Sequence, residues 1–365
     1  MPAAHDVEEL SAERWPGAAR LAAASWTRTI GGSSSLVPGL AAAVGIAAAA
    51  TVLGGFVPVV GAPVIAIVCG IAVTMVRKPS ARLKPGISFA SKKVLQGSIV
   101  LLGLGLSLGQ VLSTGTRSLP VLLGTLAAAF AMTWLAGRLL KLPADLRTLI
   151  GVGTAICGAS AIAATDAVID ADQADVSYAV ATIFTFNVVA VLLYPTLGHA
   201  FGFSERTFGL WSGTAINDLS SVVAASSVYG HAAAAYGVIV KLTRTLAIIP
   251  ISFFLAVRRG LQKEEAGADK VSGKRIELRR VVPLFIVVFL AAVAANTVGL
   301  VPSALHHPLS DLSTWMITVA LAAIGLSTDM GHIRRAGLRP LALGAILWLT
   351  VGVASLGLQA LTGTL

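Results

Sequence analysis

Charged residues are scarce in this sequence, and their scarcity excludes most soluble folds. Of its 365 residues only 12% are charged and 56% are hydrophobic, and the mean hydropathy is +0.84. Soluble globular domains carry about one quarter charged residues. The chain is therefore predicted to be a polytopic, all-helical membrane protein whose main surroundings are the lipid bilayer.

Cysteine and histidine are too few and too scattered for several kinds of chemistry. Cys69 and Cys157 both lie in apolar runs, and the six histidines show no ligand spacing, so neither a disulfide nor a metal site is expected. A nucleophile would need a base within reach, but the histidines fall between the apolar runs or at their ends. The phosphate-binding pattern G-x-x-x-x-G-K-[ST] is absent, so ATP-driven transport is not indicated. We expect neither an enzyme nor a cofactor.

The cations of the chain, which give a formal net charge of +10, cluster between apolar runs. This distribution is typical of topology signals rather than of a nucleic-acid surface, so no nucleic-acid partner is expected. Cation-rich connections alternate with connections whose only cation is Arg117, which predicts a cytoplasmic N-terminus and an external C-terminus in a bacterial inner membrane. Eleven runs are near the ~20 residues that cross a bilayer: 36–54, 59–76, 93–112, 118–138, 145–168, 176–198, 207–226, 232–257, 281–300, 313–328 and 338–361.

Four segments follow from this pattern. Residues 1–35 are predicted to be a cytoplasmic N-terminal segment, in which residues 10–30 could form an interfacial helix. Residues 36–257 hold spans one to eight, residues 258–280 form a charged cytoplasmic linker, and residues 281–365 hold spans nine to eleven.

Two internal repeats are visible. A shift of 220 residues aligns Pro63 with Pro283 and Pro120 with Pro340, so spans two to four resemble spans nine to eleven in the opposite orientation, as in secondary transporters. The alternative is chance matching of apolar segments. A shift of 60 residues aligns GTAICGAS at 153–160 with GTAINDLS at 213–220. Such glycine-rich segments predict broken helices whose N-termini face an anion, or else close helix packing through small residues.

Lys241 and Arg244 lie near the centre of a long apolar run and on the same side of a helix. Each cation costs roughly 2.5 to 3.5 kcal/mol at the centre of a membrane helix, so each needs a partner or a wet cavity. Counting residues into each span brings Asn187 and Asp218 to the same depth. The basic pair could bind an anionic substrate, or it could only neutralise Asp218. Two cations against one carboxylate leave an excess that favours the anion.

Three side chains keep more than one interpretation. Asp218 could carry a proton, act as a structural counter-ion or bind a coupling cation. Cys157 could be a packing residue or could line the site. Asp166 is expected in an acidic outer loop rather than in the site.

Several segments taken together resemble the bacterial sulfate exporter family of YeiH-type membrane proteins: SFASKKVLQGSIVLLGLGLSL, GVGTAICGASAIAA, ATIFTFNVVAVLLYP, WSGTAINDLSSVVAAS, VIVKLTRTLAIIPISF and STWMITVALAAIGLSTDM. The resemblance covers about 60–361. It implies membership of the cation/proton antiporter and anion transporter superfamily, with inverted repeats, broken helices crossing at mid-membrane and an elevator-like movement. Relatives often carry His where this chain has Asn217, which would remove a titratable group here. Matched to the family's motifs, the site residues are Gly153, Thr154, Cys157, Gly158, Ser160, Gly213, Asn217, Asp218, Lys241 and Arg244.

The expectation from the sequence is therefore a membrane protein with about eleven transmembrane helices, inverted repeats and broken or re-entrant helices at mid-membrane. It would be a secondary transporter that exports a small anion, sulfate or an organosulfonate, with Asp218 as the proton-coupling group. Thr214 and Asn187 complete the predicted substrate site, and a homodimer is expected by analogy with other transporters. The alternatives are a cation-coupled transporter in which Asp218 and Asp166 bind Na⁺, and a passive anion channel.

Overall fold

The computed structural model describes residues 33–56, 61–265, 284–328 and 337–365. These residues form helices joined by short connections, and no strand occurs among them. The helices are α1 (Ser33–Phe56), α2 (Gly61–Val76), α3 (Lys84–Phe89), α4 (Leu95–Gly103), α5 (Leu108–Leu139), α6 (Ala144–Ala155), α7 (Ala159–Ile169), α8 (Gln173–Ala200), α9 (Glu205–Ala215), α10 (Leu219–Tyr229), α11 (His231–Thr245), α12 (Ile248–Glu265), α13 (Leu284–Thr297), α14 (Ser303–Ser327) and α15 (Leu338–Leu361).

Six helical stretches in the described residues are long and apolar enough to cross a membrane. An all-helical membrane fold is thereby confirmed, whereas the number of eleven crossings is not. The predicted interfacial helix at 10–30 lies outside the described residues, as does most of the 258–280 linker. The first part of that linker is helical, because α12 continues to Glu265. The six stretches are Ser35–Gly55, Leu108–Leu139, Gln173–Ala200, His231–Leu255, Ala304–Ser327 and Leu338–Leu361.

The third predicted span, 93–112, is displaced along the chain. α3, a π-helical turn at Ala90–Val94 and α4 follow one another without a break. The chain then leaves the helix, and Ser107 begins α5 with a capping box. The Ser107 N–H donates to Gln110 Oε1 at 2.9 Å, and the Gln110 N–H donates to Ser107 Oγ at 3.2 Å. Because Ser107 has a leucine on each side, a hydropathy average over a window does not detect this helix boundary.

The fifth predicted span, 145–168, does not run straight through. It consists of α6 and α7, and these two helices double back on each other. A Cβ on Gly153 would lie 2.9 Å from the Ile162 side chain. Asp145 at the start of α6 and Ile169 at the end of α7 line the same cavity. The segment α6–α7, hairpin A, therefore returns to the end at which it begins.

The seventh predicted span, 207–226, folds back in the same way through α9 and α10, hairpin B. The Ser212 and Ser226 hydroxyl oxygens are 2.7 Å apart. Nearer the ends of the two helices, the rings of Phe208 and Tyr229 stack with centroids 3.9 Å apart. Both contacts join α9 to α10 in antiparallel register, so hairpin B also returns to the end at which it begins.

The two hairpins enter the molecule from opposite ends. α8 has 28 residues, which at 1.5 Å per residue is about 42 Å. A short connection joins the end of hairpin A to the start of α8, and another joins the end of α8 to the start of hairpin B. These two segments are therefore not full crossings of the kind in the predicted list of eleven, and of the two predicted forms, broken or re-entrant helices, they fit the re-entrant one. Half-helices of 11 and 12 residues could equally continue or reverse, and their side-chain packing selects reversal.

The helices fall into two groups. α1 to α4 pack with α13 and α14, whereas α5 to α12 pack with α15 around both hairpins. The groups meet where α10 lies against α2 and α14, through an apolar cluster that includes Ile67, Val223, Ala224 and Ile317. α5 and α15, which correspond under the 220-residue shift, run antiparallel: Leu358 lies against Gly124, and Leu343 clusters with Ala136.

Candidate functional site

The tips of the two hairpins meet inside the second group of helices. Gly158 in the tip of hairpin A has a φ of +70°, and a Cβ at this position would lie 3.0 Å from Cβ of Asp218 in the tip of hairpin B. Glycine adopts this left-handed conformation without the steric cost that a side chain brings. The structure thus juxtaposes the two segments that the GTAI match singled out.

Lys241 and Arg244 each bind one tip from α11. Lys241 Nζ donates to the carbonyl oxygen of Ile216 at 2.6 Å, and Arg244 Nε donates to the carbonyl oxygen of Ala155 at 2.5 Å. The Lys241 side chain is fully buried and that of Arg244 is 1% exposed. Both carbonyls end the first helix of a hairpin, where the helix dipole is negative and favours a cation. The basic pair therefore holds the two tips together.

Arg244 still has hydrogen-bonding capacity that the protein does not use. Its Nη1 and Nη2 atoms are buried and have no hydrogen-bond partner among the described residues. An unsatisfied buried donor costs about 1 to 3 kcal/mol, and more when the group is charged. A planar guanidinium with two adjacent unused donors is suited to a carboxylate, sulfate or sulfonate group.

Unused acceptors lie on hairpin B and on α8. The Oδ1 atoms of Asn187, Asn217 and Asp218 are buried without a partner. Asp218 Oδ2 accepts a hydrogen bond from Ser220 Oγ. Asp218 forms no ion pair with Lys241 or Arg244 within the part of the chain described. The geometry therefore does not match the interpretation in which the basic pair only neutralises Asp218.

Cys157 lies in the tip of hairpin A and faces the basic pair. Its thiol lies near the Thr245 side chain and within electrostatic range of Lys241 and Arg244. Only 7% of the residue is exposed. Cys157 therefore lies at the tip junction and also packs there in an apolar cluster that includes Ala155 and Ile216. Thr245 has no distinctive signal in the sequence beyond its position next to Arg244.

The second helix of each hairpin begins at this junction without a capping side chain. Gly158 precedes α7 and Asp218 precedes α10, and neither makes a side-chain cap. The first N–H groups of both helices therefore point into the junction with the positive ends of their dipoles. Ser160 in the first turn of α7 is exposed.

Four predicted site residues lie below the tips and serve packing. A Cβ on Gly213 would lie 2.8 Å from Val240 on α11, and Gly153 is equally close to Ile162. Thr154 Oγ1 donates to the Ile150 carbonyl at 2.9 Å, and Thr214 Oγ1 contacts Ser355 Oγ at 2.6 Å. For Gly153, Thr154, Gly213 and Thr214 the packing interpretation fits the contacts.

The charged side chains and helix termini at the junction add up to a net positive charge. Each helix terminus contributes roughly half an elementary charge. The two cations and two helix N-termini then exceed one carboxylate and two helix C-termini by about one positive charge. The side chains of Lys241, Arg244 and Asp218 are buried or half-buried, whereas the N-terminus of α7 is exposed at Ala159 and Ser160. The junction is therefore complementary to an anion.

Asp166 is separated from the junction. It lies near the far end of α7, eight residues beyond Gly158, which is about 12 Å along the helix. Its Oδ1 accepts the Ala171 N–H at 3.2 Å, so it stabilises the end of the hairpin. The prediction that Asp166 lies in an outer loop assumed that the fifth span crosses the membrane once. Hairpin A instead returns Asp166 to the end that holds Arg147.

The chain resembles a set of membrane proteins. Residues 38–344 match the family described as conserved hypothetical protein 698. A UPF0324 membrane protein of Streptococcus pneumoniae serotype 4 is 43% identical over 319 residues, which is 85% of this chain and 93% of the relative. A UPF0324 membrane protein of Fusobacterium nucleatum is 39% identical over 331 residues, 85% of this chain and 94% of the relative. No solved structure matches the chain significantly.

Proposed function

We propose that this chain, which belongs to the UPF0324 membrane protein family, is a secondary active transporter of a small anion. It would export sulfate or an organosulfonate across the bacterial inner membrane. The substrate's oxyanion would bind at the hairpin tips, against Arg244 and the N-termini of α7 and α10.

The observation that carries the proposal is the pair of unused donors on Arg244. A residue that only clamped hairpin A would need Nε alone, which already bonds the Ala155 carbonyl. Nη1 and Nη2 are buried with no acceptor in the described chain. An oxyanion bridging them would form two charge-assisted hydrogen bonds and offset the excess positive charge.

The hairpins also supply a topology for transport. With hairpins A and B re-entrant, the described helices would make nine crossings: α1, α2, α3–α4, α5, α8, α11–α12, α13, α14 and α15. An odd number would place the two termini on opposite sides, with the N-terminus in the cytoplasm and the cation-rich connections inside. Arg206, at the start of hairpin B, would then lie outside. Hairpins entering from opposite ends suit inverted repeats around a central site. The two helix groups would then move relative to each other in an elevator-like cycle.

Asp218 is the proposed coupling group. It lies in the tip of hairpin B, with one carboxylate oxygen bonded to Ser220 and the other without a partner. A proton bound there would reduce the negative charge beside Lys241 and so change the affinity of the junction for an anion. The rival in which Asp218 and Asp166 share a Na⁺ is disfavoured, because Asp166 lies about 12 Å away along α7.

Counterflow in proteoliposomes tests the proposal. Vesicles loaded with unlabelled sulfate, taurine or sulfoacetate should accumulate the labelled anion transiently, and Arg244→Gln should abolish this accumulation. Arg117→Gln is the matched control, because Arg117 is an exposed arginine on α5, whereas Arg244 is buried. It should leave counterflow at the wild-type level.

Other results of the same experiment would support the alternative functions. Unaltered counterflow in Arg244→Gln would contradict the anion site. An anion flux that does not saturate with concentration and shows no counterflow would indicate a channel. Na⁺-dependent uptake without anion selectivity would indicate the cation-coupled alternative.

A further inference from the structure

A cavity lies at the base of hairpin A, away from the tips. It has a volume of about 500 Å³ and is bounded by α5, α6, the end of α7 and α12. Cavities of roughly 300 to 1,000 Å³ are the size that holds small amphiphilic ligands. None of the residues used at the tip junction lines it, so it is a separate site.

Three arginines converge on this cavity. Arg138 ends α5, Arg147 lies in the first turn of α6, and Arg258 lies on α12. Asp145 supplies a carboxylate in the same lining. The lining therefore carries an excess of positive charge at the end of the molecule where the cation-rich connections lie.

The apolar wall of the cavity lies one helical turn further from the end of the molecule than the arginines do. Trp134 precedes Arg138 by four residues on α5, and Phe254 precedes Arg258 by four residues on α12. Four residues correspond to about 6 Å along a helix. Trp134 is 57% exposed and Phe254 is 63% exposed, so both rings present their surface to the cavity and its open side. The Arg138 guanidinium lies 4.4 Å from the Trp134 ring centroid.

We propose that this cavity binds an anionic phospholipid. The phosphate would lie among Arg138, Arg147 and Arg258, and the first part of an acyl chain would cover Trp134 and Phe254. The offset between cations and aromatic rings matches the offset between the headgroup and the hydrocarbon of a lipid in a bilayer. A soluble phosphate would use the arginines but not the apolar wall. The inference depends on the membrane location of the chain and not on the transported substrate.

Quenching of Trp134 fluorescence by brominated lipid tests the proposal. The purified full chain is reconstituted in phosphatidylcholine vesicles that contain a fixed fraction of brominated phosphatidylglycerol or, separately, of brominated phosphatidylcholine. The Trp134 signal is the wild-type fluorescence minus that of Trp134→Phe. Brominated phosphatidylglycerol should quench this signal with an apparent affinity several times higher, since one arginine near the surface favours an anionic lipid roughly fivefold.

Two variants separate the arginines of the cavity from general surface charge. Arg258→Gln should lower the preference for phosphatidylglycerol roughly fivefold, and it leaves the contact between Arg138 and Trp134 intact. Arg82→Gln, at an exposed arginine outside the cavity, should leave the preference unchanged. Equal quenching by both brominated lipids in wild type would overturn the proposal. So would competition by inorganic phosphate at constant ionic strength, because a soluble anion would then be the occupant.

Discussion

Hairpins A and B share a motif and a shape, but they differ in what covers their second helix. α10 of hairpin B is buried along Val222–Ser226 and packs against α2 and α14 of the other helix group. α7 of hairpin A packs against α6, α8 and α12, and four of its residues stay exposed: Ala159, Ser160, Ala163 and Ala167. In this structure the second helix of hairpin B is therefore covered by the other helix group, whereas the second helix of hairpin A is open on one face.

The cations at the two tips also differ, in the hydrogen bonds that they form. Lys241 Nζ is committed to the Ile216 carbonyl of hairpin B. Arg244 binds the Ala155 carbonyl of hairpin A and retains two unused donors. The buried donor atoms that have no partner at all thus belong to the cation at the tip of the open hairpin, whereas Lys241 Nζ uses one of its three N–H groups on the Ile216 carbonyl. A ligand that arrives along the open arm would meet Arg244 before it could affect Lys241.

The largest expected difference between the hairpins is in thiol accessibility. Ala163 on α7 and Val223 on α10 correspond under the 60-residue shift; Ala163 is exposed and Val223 is 1% exposed. In a background without Cys69 and Cys157, we expect Ala163→Cys to react with a charged, membrane-impermeant thiol reagent. Val223→Cys should react roughly a hundredfold more slowly, because reaction must await an opening that costs about 3 kcal/mol.

The measurement is the labelling rate of both variants in vesicles of either orientation. Equal rates would contradict the comparison, and so would an inert Ala163→Cys, since that would place the exposed face of α7 in lipid. A rate at Val223→Cys that rises during turnover would show that the covered arm opens.

A smaller difference is expected from conservative exchange of the two cations. Arg244→Lys keeps the charge but loses the planar pair of donors, so the affinity for the anion should fall about tenfold, the equivalent of one charge-assisted hydrogen bond. Lys241→Arg keeps a donor for the Ile216 carbonyl and should change affinity less than Arg244→Lys. The anion-dependent shift in melting temperature gives both affinities. A larger loss in Lys241→Arg would mean that the two tips have been assigned the wrong roles.

The sequence predicts the tips of the hairpins well and the path of the chain through them poorly. The GTAI match and the depth of Lys241 and Arg244 identify Cys157, Gly158, Asn217 and Asp218 as neighbours of the basic pair, because motif and depth are properties of residue order. The reversal of each hairpin depends on contacts such as Ser212 with Ser226, which no hydropathy window records.

The partners of the two cations were also beyond prediction. Lys241 and Arg244 bind carbonyl oxygens of Ile216 and Ala155, and a carbonyl group carries no residue-specific signal. Only the interruption after each GTAI motif indicates that such a carbonyl is free, because the last carbonyls of a helix have no intrahelical partner. Because the sequence does not reveal such carbonyl partners, Asp218 stands out as the only apparent partner for the two cations.

The smallest expected effect tests whether the contact between the two tips holds them in place. Gly158 and Gly202 have nearly the same φ, +70° and +67°, but a Cβ on Gly158 would meet Asp218 whereas one on Gly202 would meet nothing within 4 Å. Both Gly→Ala changes should cost about 1 to 3 kcal/mol of backbone strain, and the cost should be at the upper end for Gly158, whose ψ of −135° lies outside the left-handed helical region. Gly158→Ala alone should add a further loss from displaced tips, because the neighbouring Asp218 backbone must shift. The melting temperature of Gly158→Ala should therefore fall below that of Gly202→Ala. Equal melting temperatures would mean that the tips adjust freely, and the clamp by Lys241 and Arg244 would then be the main contact between the hairpins.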